Sequence, residues 1–344
     1  MRCSLPFSRV TDDTRLRVGL IGTGYIGTFV GGQFDRHRDA TVSAITEIDE
    51  ERRERTAESF SVPEDTLYDD YREMLDDAAL DAILIGTPHT LHYEQVLAGL
   101  DHGLHVFCDK PLATDLEHAT EITERFEDSD RTLMVGYQRH LNPSFIAARD
   151  RFAESPPRWI TAEITQNWLP RFVDAWRTDP DLSGGGMLYD TGSHLLDAVL
   201  WTSGLDPVRV SSKMTFVDDA ERVDSEATVL IEFANGATAN VTVSGDLPCV
   251  REHVHLWDDD GAVSLDGRQW EPRQVTEIDD ENTESIPYID HDNQTTKAEA
   301  FITAIENGSE PPATARDALA VTAVTEAAYE SARADGDWVD VDLD

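Results

Sequence analysis

Apolar and polar positions along the first 139 residues fall into alternating blocks. Leu16–Ile21 (LRVGLI), Thr41–Thr46 (TVSAIT), Asp81–Ile85 (DAILI), Leu104–Phe107 and Leu133–Val135 are brief, mostly apolar runs, the pattern of strands buried on both faces. Longer segments between them read as helices: Thr28–Phe34, the charged Asp49–Phe60, Asp70–Leu75, Leu91–Leu100 and Thr114–Phe126, with Thr66–Tyr68 as a further short strand. Strands alternating with helices predict a parallel, doubly wound α/β sheet. Such sheets bind ligands at the carboxyl ends of their strands. Four strand-end loops would then share one edge: Gly22 onward, Thr87–His89, Asp109–Lys110 and Tyr137–Arg139.

After Pro156-Pro157 the pattern changes. Arg158–Gln166 (RWITAEITQ) alternates with period two, as do Val208–Phe216, Ala227–Phe233, Thr238–Ser244, Val250–Trp257 and Ala262–Leu265. Asn235-Gly236 is a hairpin turn signal. These segments predict a mainly antiparallel sheet, followed by helices at Ala298–Asn307 and Arg316–Ala334. Asn167–Pro180 is expected to be a loop presenting Trp168, Trp176 and Arg177, and the acidic Thr276–Ser285 a loop without assigned chemistry. The expected organisation is a frayed tail over 1–15, a dinucleotide-binding domain over 16–138, and an α+β domain over 139–344 with an open sheet for substrate and assembly.

Gly22-Thr23-Gly24-Tyr25-Ile26-Gly27 follows the first strand and opens the first helix, the setting in which G-x-G-x-x-G binds a dinucleotide. Gly22 permits the tight turn, Gly24 the approach of pyrophosphate, and Gly27 close packing of helix on strand. The phosphates would meet the free N–H groups at the helix start. Glu47 ends the second strand about 20 residues further on, where a carboxylate accepts ribose hydroxyls and repels a 2′-phosphate. That favours NAD, while Arg52 and Arg53 keep NADP possible.

Composition sharpens one position. The chain holds 28 Lys+Arg, yet only Lys110, Lys213 and Lys297 are lysines. A chain that uses Arg nearly everywhere keeps a Lys in Cys108-Asp109-Lys110-Pro111, and an ammonium, unlike a guanidinium, can pass a proton. In Ser183–Asp197 (SGGGMLYDTGSHLLD) three glycines precede Asp190 and His194, which share a face if Met187–Trp201 is helical. A carboxylate beside an imidazole raises its imidazolium fraction and orients it as a proton acceptor. A plain helix-stabilising pair and a metal site are the other readings, the second lacking a third ligand at clear spacing; no metal is expected.

The net charge is −40, from 68 Asp+Glu spread along the chain. That excludes nucleic acid and anionic membranes as partners. It reads as a carboxylate coat adapted to high salt, so the melting temperature is expected to rise with KCl as self-repulsion is screened. A melting temperature independent of KCl would count against that reading. Cys3, Cys108 and Cys249 are too far apart for a disulfide framework, and no apolar run approaches ~18 residues; a cytoplasmic protein is expected.

Five stretches resemble the glucose–fructose oxidoreductase / inositol dehydrogenase (Gfo/Idh/MocA) family: GLIGTGYIG at 19–27, TPHTLH at 87–92, CDKPLA at 108–113, GYQRHLNPSF at 137–146 and WRTDPDLSGGGMLYDTGSHLLD at 176–197. The resemblance implies an N-terminal Rossmann domain and a C-terminal domain whose open sheet makes homodimers or homotetramers. It implies Lys110, Asp190 and His194 as catalytic residues. Cofactor contacts would come from the Gly22–Gly27 turn, Glu47, Thr87, Pro88, His89, His92, Asp109, Lys110 and Gln138. Substrate contacts would come from the three catalytic residues with Arg139, Trp168, Trp176 and Arg177. Departures fall at Asp109, usually Glu; at His89, usually Asn; and at Gln138-Arg139-His140, usually Asn-Arg-Arg. The expected activity is hydride transfer between nicotinamide and a sugar, polyol or related hydroxy compound. The alternatives are glycoside cleavage through transient oxidation and a non-catalytic NAD sensor.

Overall fold

The computed structural model describes residues 15–268, 271–292 and 294–343; the expected tail, apart from Arg15, lies outside them. The first unit is a six-stranded parallel sheet of order β3-β2-β1-β4-β5-β6, formed by β1 (Leu16–Ile21), β2 (Ala40–Thr46), β3 (Leu67–Tyr68), β4 (Ala82–Ile85), β5 (His105–Cys108) and β6 (Leu133–Val135). Helices α1 (Tyr25–Arg36), α2 (Glu50–Phe60), α3 (Tyr71–Asp77), α4 (His92–Asp101) and α5 (Leu116–Glu127) alternate with them. Sequence sets where these helices begin. Asp49, Asp70 and Asp115 each accept a backbone N–H of the first turn, so the helices start one residue after an aspartate.

The chain leaves β6 through a tight turn into α6 (Pro143–Phe152), a helix the apolar pattern did not announce, capped by Asn142 with Pro143 at its first position. Then comes a nine-stranded sheet of order β14-β13-β12-β11-β7-β10-β9-β8-β15. Its strands are β7 (Trp159–Asn167), β8 (Pro207–Phe216), β9 (Asp224–Phe233), β10 (Thr238–Ser244), β11 (Asp246–Trp257), β12 (Gly261–Arg268), β13 (Gln274–Asp279), β14 (Glu284–Ser285) and β15 (Val339–Asp340). Only β7 and β10 run parallel; the other pairs are antiparallel. The expected acidic loop at 276–285 is instead the end of β13, a turn and β14. Charged residues suit a sheet edge that faces water, so this strand shows no apolar alternation.

Between β7 and β8 lie the short helices α7 (Leu169–Phe172) and α8 (Pro180–Ser183) and the longer α9 (Ser193–Ser203); α10 (Lys297–Asn307) and α11 (Ala315–Arg333) follow the sheet. One face of this sheet is dry. Ile160, Ala162, Ile164, Val254, Leu256, Val263 and Leu265 share a core with Leu195, Leu196 and Val199 of α9 and Val321 and Val324 of α11. The alternate residues point to the opposite, open face, where Trp159 stays half exposed. Helix α10 returns to the first unit: Phe301 packs edge-on against Phe34 and Phe107.

Candidate active site

The glycine turn has the geometry its sequence promises. Gly22 sits at φ +85°, and a Cβ on Gly27 would lie 2.0 Å from the Gly22 carbonyl oxygen, so both positions exclude a side chain. A Cβ on Gly24 would meet only Gly86 O at 3.8 Å, which leaves the space above the helix start open. Glu47 is buried beside this turn. Its Oε2 accepts the Thr23 N–H and hydroxyl, each at 3.0 Å, and its Oε1 accepts Asp49 N–H at 3.1 Å. Arg52 stands 3.7 Å from the same carboxylate, and Arg53 donates to the Glu47 carbonyl. Thr23, Gly24, Arg52, Arg55 and Ser59 line a groove next to the turn. Tyr25 is exposed and stacks on Phe29; Ile26 is partly buried.

The loops after β4, β5 and β6 meet at the same edge. Lys110 is 7% exposed and donates to the Asp190 carboxylate at 2.8 Å and to the Asp190 carbonyl. Asp190 is the hub: Oδ2 accepts Trp168 Nε1 at 2.7 Å and Arg177 Nε at 3.0 Å, and His89 Nε2 stands 4.0 Å from Oδ1. Burial pushes this carboxyl up, but the Lys110 ammonium and Arg177 guanidinium outweigh it and hold the group well below the usual carboxylate range. The backbone explains the arrangement. Leu188–Gly192 forms one π-helical turn before α9, and the Asp190 carbonyl accepts Lys110 and the Ser193 hydroxyl.

Asp190 therefore does not orient His194, as the i,i+4 spacing suggested. Among the described residues its bonds go to Lys110, Trp168 and Arg177, because the π turn re-aims the carboxylate toward β5. His194 is driven toward the neutral imidazole rather than the imidazolium. Burial is the main cause, reinforced by the positive charges of Arg139, Lys110 and Lys297. Tyr137 packs edge-on against its ring.

Other expected contacts are redirected. Trp168 is 1% exposed, so its indole anchors Asp190 and offers no face to a ligand. Trp176 is partly buried, edge-on to His89 and beneath the Arg177 guanidinium. Arg139 is spent in a buried triad: it donates to Glu252, which also takes Arg273 at 3.1 Å, so its guanidinium does not reach for substrate. Gln138, oriented by its hydrogen bonds, donates to Gly136 O and accepts from Arg139. His92 lies between two carbonyls, Pro111 O at 2.7 Å and Thr87 O at 3.1 Å, and ties the β4 and β5 loops together. Thr87 bonds Gln95, Pro88 starts the next turn, and His89 Nδ1 reaches Ser183 O. Asp109 Oδ1 is buried without a partner.

Lys297 is a residue the sequence reading passed over. It begins α10, partly buried, within electrostatic reach of Asp109, Lys110, Arg139 and His194. Burial lowers its pKa, with Lys110 and Arg139 pulling the same way against Asp109. The signal was present: lysine scarcity singled out three positions, and two of them meet at this edge.

A glycine turn with its acidic partner, a parallel sheet, and a buried Lys–Asp pair at the same sheet edge mark the class of nicotinamide-dinucleotide oxidoreductases. Residues 16–137 match the oxidoreductase family with the NAD-binding Rossmann fold, and residues 156–263 match the GFO/IDH/MocA C-terminal domain. The chain is 30% identical to D-xylose 1-dehydrogenase (NADP(+)) 2 of Haloferax volcanii, over 91% of this chain and 96% of that one. It is 29% identical to inositol 2-dehydrogenase of Paracoccus denitrificans over 66% of this chain and 67% of that one. The fold matches levoglucosan dehydrogenase in complex with NADH at TM-score 0.80 and 22% identity, covering 95% and 99% of the two chains. The chain belongs to the Gfo/Idh/MocA oxidoreductase family.

Proposed function

We propose that this protein is an NAD(P)-dependent dehydrogenase of a sugar or polyol, with Lys110, Asp190 and His194 as its catalytic residues. The observation that carries the reading is the buried Lys110–Asp190 pair, beside a His194 whose burial favours the neutral imidazole. A neutral imidazole is the form that accepts a hydroxyl proton. Lys110 would hydrogen-bond the reacting oxygen and stabilise its developing alkoxide charge. Asp190, held by Trp168 and Arg177, keeps the ammonium aimed. A sugar or polyol substrate agrees with the names of the Haloferax and Paracoccus relatives.

The residues present fit a bound dinucleotide. The space over Gly24 admits a pyrophosphate at the start of α1, and the unpartnered Asp109 Oδ1 is free to accept a ribose hydroxyl. Glu47 would take the adenosine ribose. Bound nicotinamide supplies the hydride acceptor. We hold NAD to be preferred because Glu47 is a buried carboxylate at the turn, although Arg52 and Arg55 in the adjoining groove would favour a 2′-phosphate. Glu47→Ser should weaken NAD and narrow the gap to NADP; a wild type with higher kcat/KM for NADP overturns the preference.

We also propose a division into residues 16–138 for dinucleotide and 139–344 for substrate and assembly. The open face of the nine-stranded sheet would dock a second copy, and a monomer by light scattering in molar KCl refutes that. An absorbance screen for reduced nicotinamide with sugars, polyols and hydroxy acids, in molar KCl and with both dinucleotides, tests the activity. Product mixtures without net reduced nicotinamide would favour glycoside cleavage, and tight dinucleotide binding without turnover would favour a sensor.

A further inference from the structure

The open face of the second sheet carries a cluster that the dehydrogenase chemistry does not use. His253 and His255 lie two residues apart on β11, so both imidazoles stand on the same side. Asp266 of β12 is directly opposite His253 in the register. One ligating atom from each of the three residues lies within 4.8 Å of the other two. Asp266 Oδ1 is 2.5 Å from His253 Nδ1 and 3.2 Å from His255 Nε2.

The surroundings hold this geometry. Ser264 donates its hydroxyl to the other carboxylate oxygen, Oδ2, at 2.5 Å, which leaves Oδ1 facing the two rings. Such a bond orients a metal-ligating carboxylate. His255 packs edge-on against Trp257, and Trp257 against Trp159 at 4.5 Å, so this stretch of strand is stiffened from one side. On the other flank Glu163 of β7 is paired with His253, and the shared pleat sends its side chain to the same face. In the single chain, side-chain exposures of 38%, 34% and 39% for His253, His255 and Asp266 leave the cluster open to a hydrated ion, and a second copy docked on this face would bring it to the interface.

We propose that His253, His255 and Asp266 form a binding site for a divalent transition-metal ion. Two imidazoles and one carboxylate are a borderline donor set suited to zinc, cobalt, nickel or copper. Calcium and magnesium prefer oxygen cages. Three protein ligands leave a further position for water or for Glu163. Binding the ion displaces any imidazole proton directed at Asp266. It cross-links β11 to β12 on the face of the sheet opposite the one packed on α9, so it acts on stability and on this face rather than on turnover.

The test is zinc titration of the full chain after chelation, by calorimetry and thermal melting in KCl. The carboxylate coat will take zinc weakly, so the readout is the difference between wild type and variants. Wild type should show one tight site per chain and a melting temperature that rises with zinc. His255→Ala and Asp266→Asn should each weaken that site by on the order of 100-fold, and Ser264→Ala by about 10-fold. Asp266→Asn keeps the shape of the side chain and guards against misfolding. Cobalt should give visible absorption bands in wild type that both variants lack. Equal zinc binding in wild type and Asp266→Asn, or no tight site in wild type, overturns the proposal.

Discussion

In the six-stranded sheet each loop that carries chemistry leaves the carboxyl end of its own strand, and short motifs mark where. In and around the nine-stranded sheet the residues that matter meet through strand register or tertiary packing, and no local motif marks them. Lys110 and the Gly22–Gly27 turn belong to the first kind. The Arg139–Glu252–Arg273 triad and the His253–His255–Asp266 cluster belong to the second. The contrast follows from how each sheet is buried. A parallel sheet covered on both faces exposes chemistry only at its edge, whereas an antiparallel sheet with one open face can place it anywhere along alternate positions.

Four experiments would break or sharpen that contrast, the largest effect first. Arg139→Met leaves Glu252, 1% exposed, with half its countercharge. Breaking a buried pair from one side costs about 3–5 kcal/mol, so denaturant unfolding should show a loss of that size. A loss below about 1 kcal/mol would mean that Arg273 alone satisfies Glu252.

Lys110→Met should lower kcat by roughly 10²–10³, about 3–4 kcal/mol, while dinucleotide affinity changes little. His194→Ala should cost a similar or larger factor, and the double variant should be less than additive if both act on one oxygen. Near wild-type kcat in Lys110→Met would remove the residue from the mechanism.

Trp168→Phe keeps an aromatic ring and deletes the N–H donated to Asp190. A hydrogen bond to a charged group is worth about 1.5–3 kcal/mol, so kcat/KM should fall roughly 10- to 100-fold. If KM rises and kcat holds, the indole serves substrate rather than the aim of Lys110.

The smallest effect is a pH slope. Burial pulls the His140 imidazole down, but Asp197 at 2.7 Å and the Pro312 carbonyl outweigh it and raise the pKa. The stability His140 contributes is therefore complete below its unfolded value of about 6.5 and fades as pH rises through its higher folded value. His140→Gln should flatten that decline in melting temperature; superimposable curves would deny the pair any part in it.

The strands and helices of the first unit were legible because apolar runs and a glycine turn each speak within a few residues; the strand order comes from the structure. Motif spacing put Glu47 by the glycine turn, where it bonds Thr23, and the resemblance put Lys110 with Asp190, which it bonds. The bonds within that neighbourhood were not: the π turn rotates Asp190 toward Lys110, and helical spacing alone predicts otherwise. Arg139 and Trp168 were expected as ligand contacts from the family resemblance. Their partners, Glu252 and Asp190, show that both are internal struts. Asp266 could not be matched to His253 without the register of β11 on β12, which brings it beside two histidines.

Helix α10 has a consequence for how the molecule is made. Val18, Val30, Phe34 and Phe107 find part of their cover in Ala298, Phe301 and Ile302, and Ala298 N–H donates to Gln33 of α1. The six-stranded unit thus waits for a segment made much later in the chain. Until α10 emerges, one flank of the parallel sheet stays greasy and available to chaperones. A fragment cut at residue 138 would carry that exposed flank permanently, and its yield would be the measure of how much one late helix contributes.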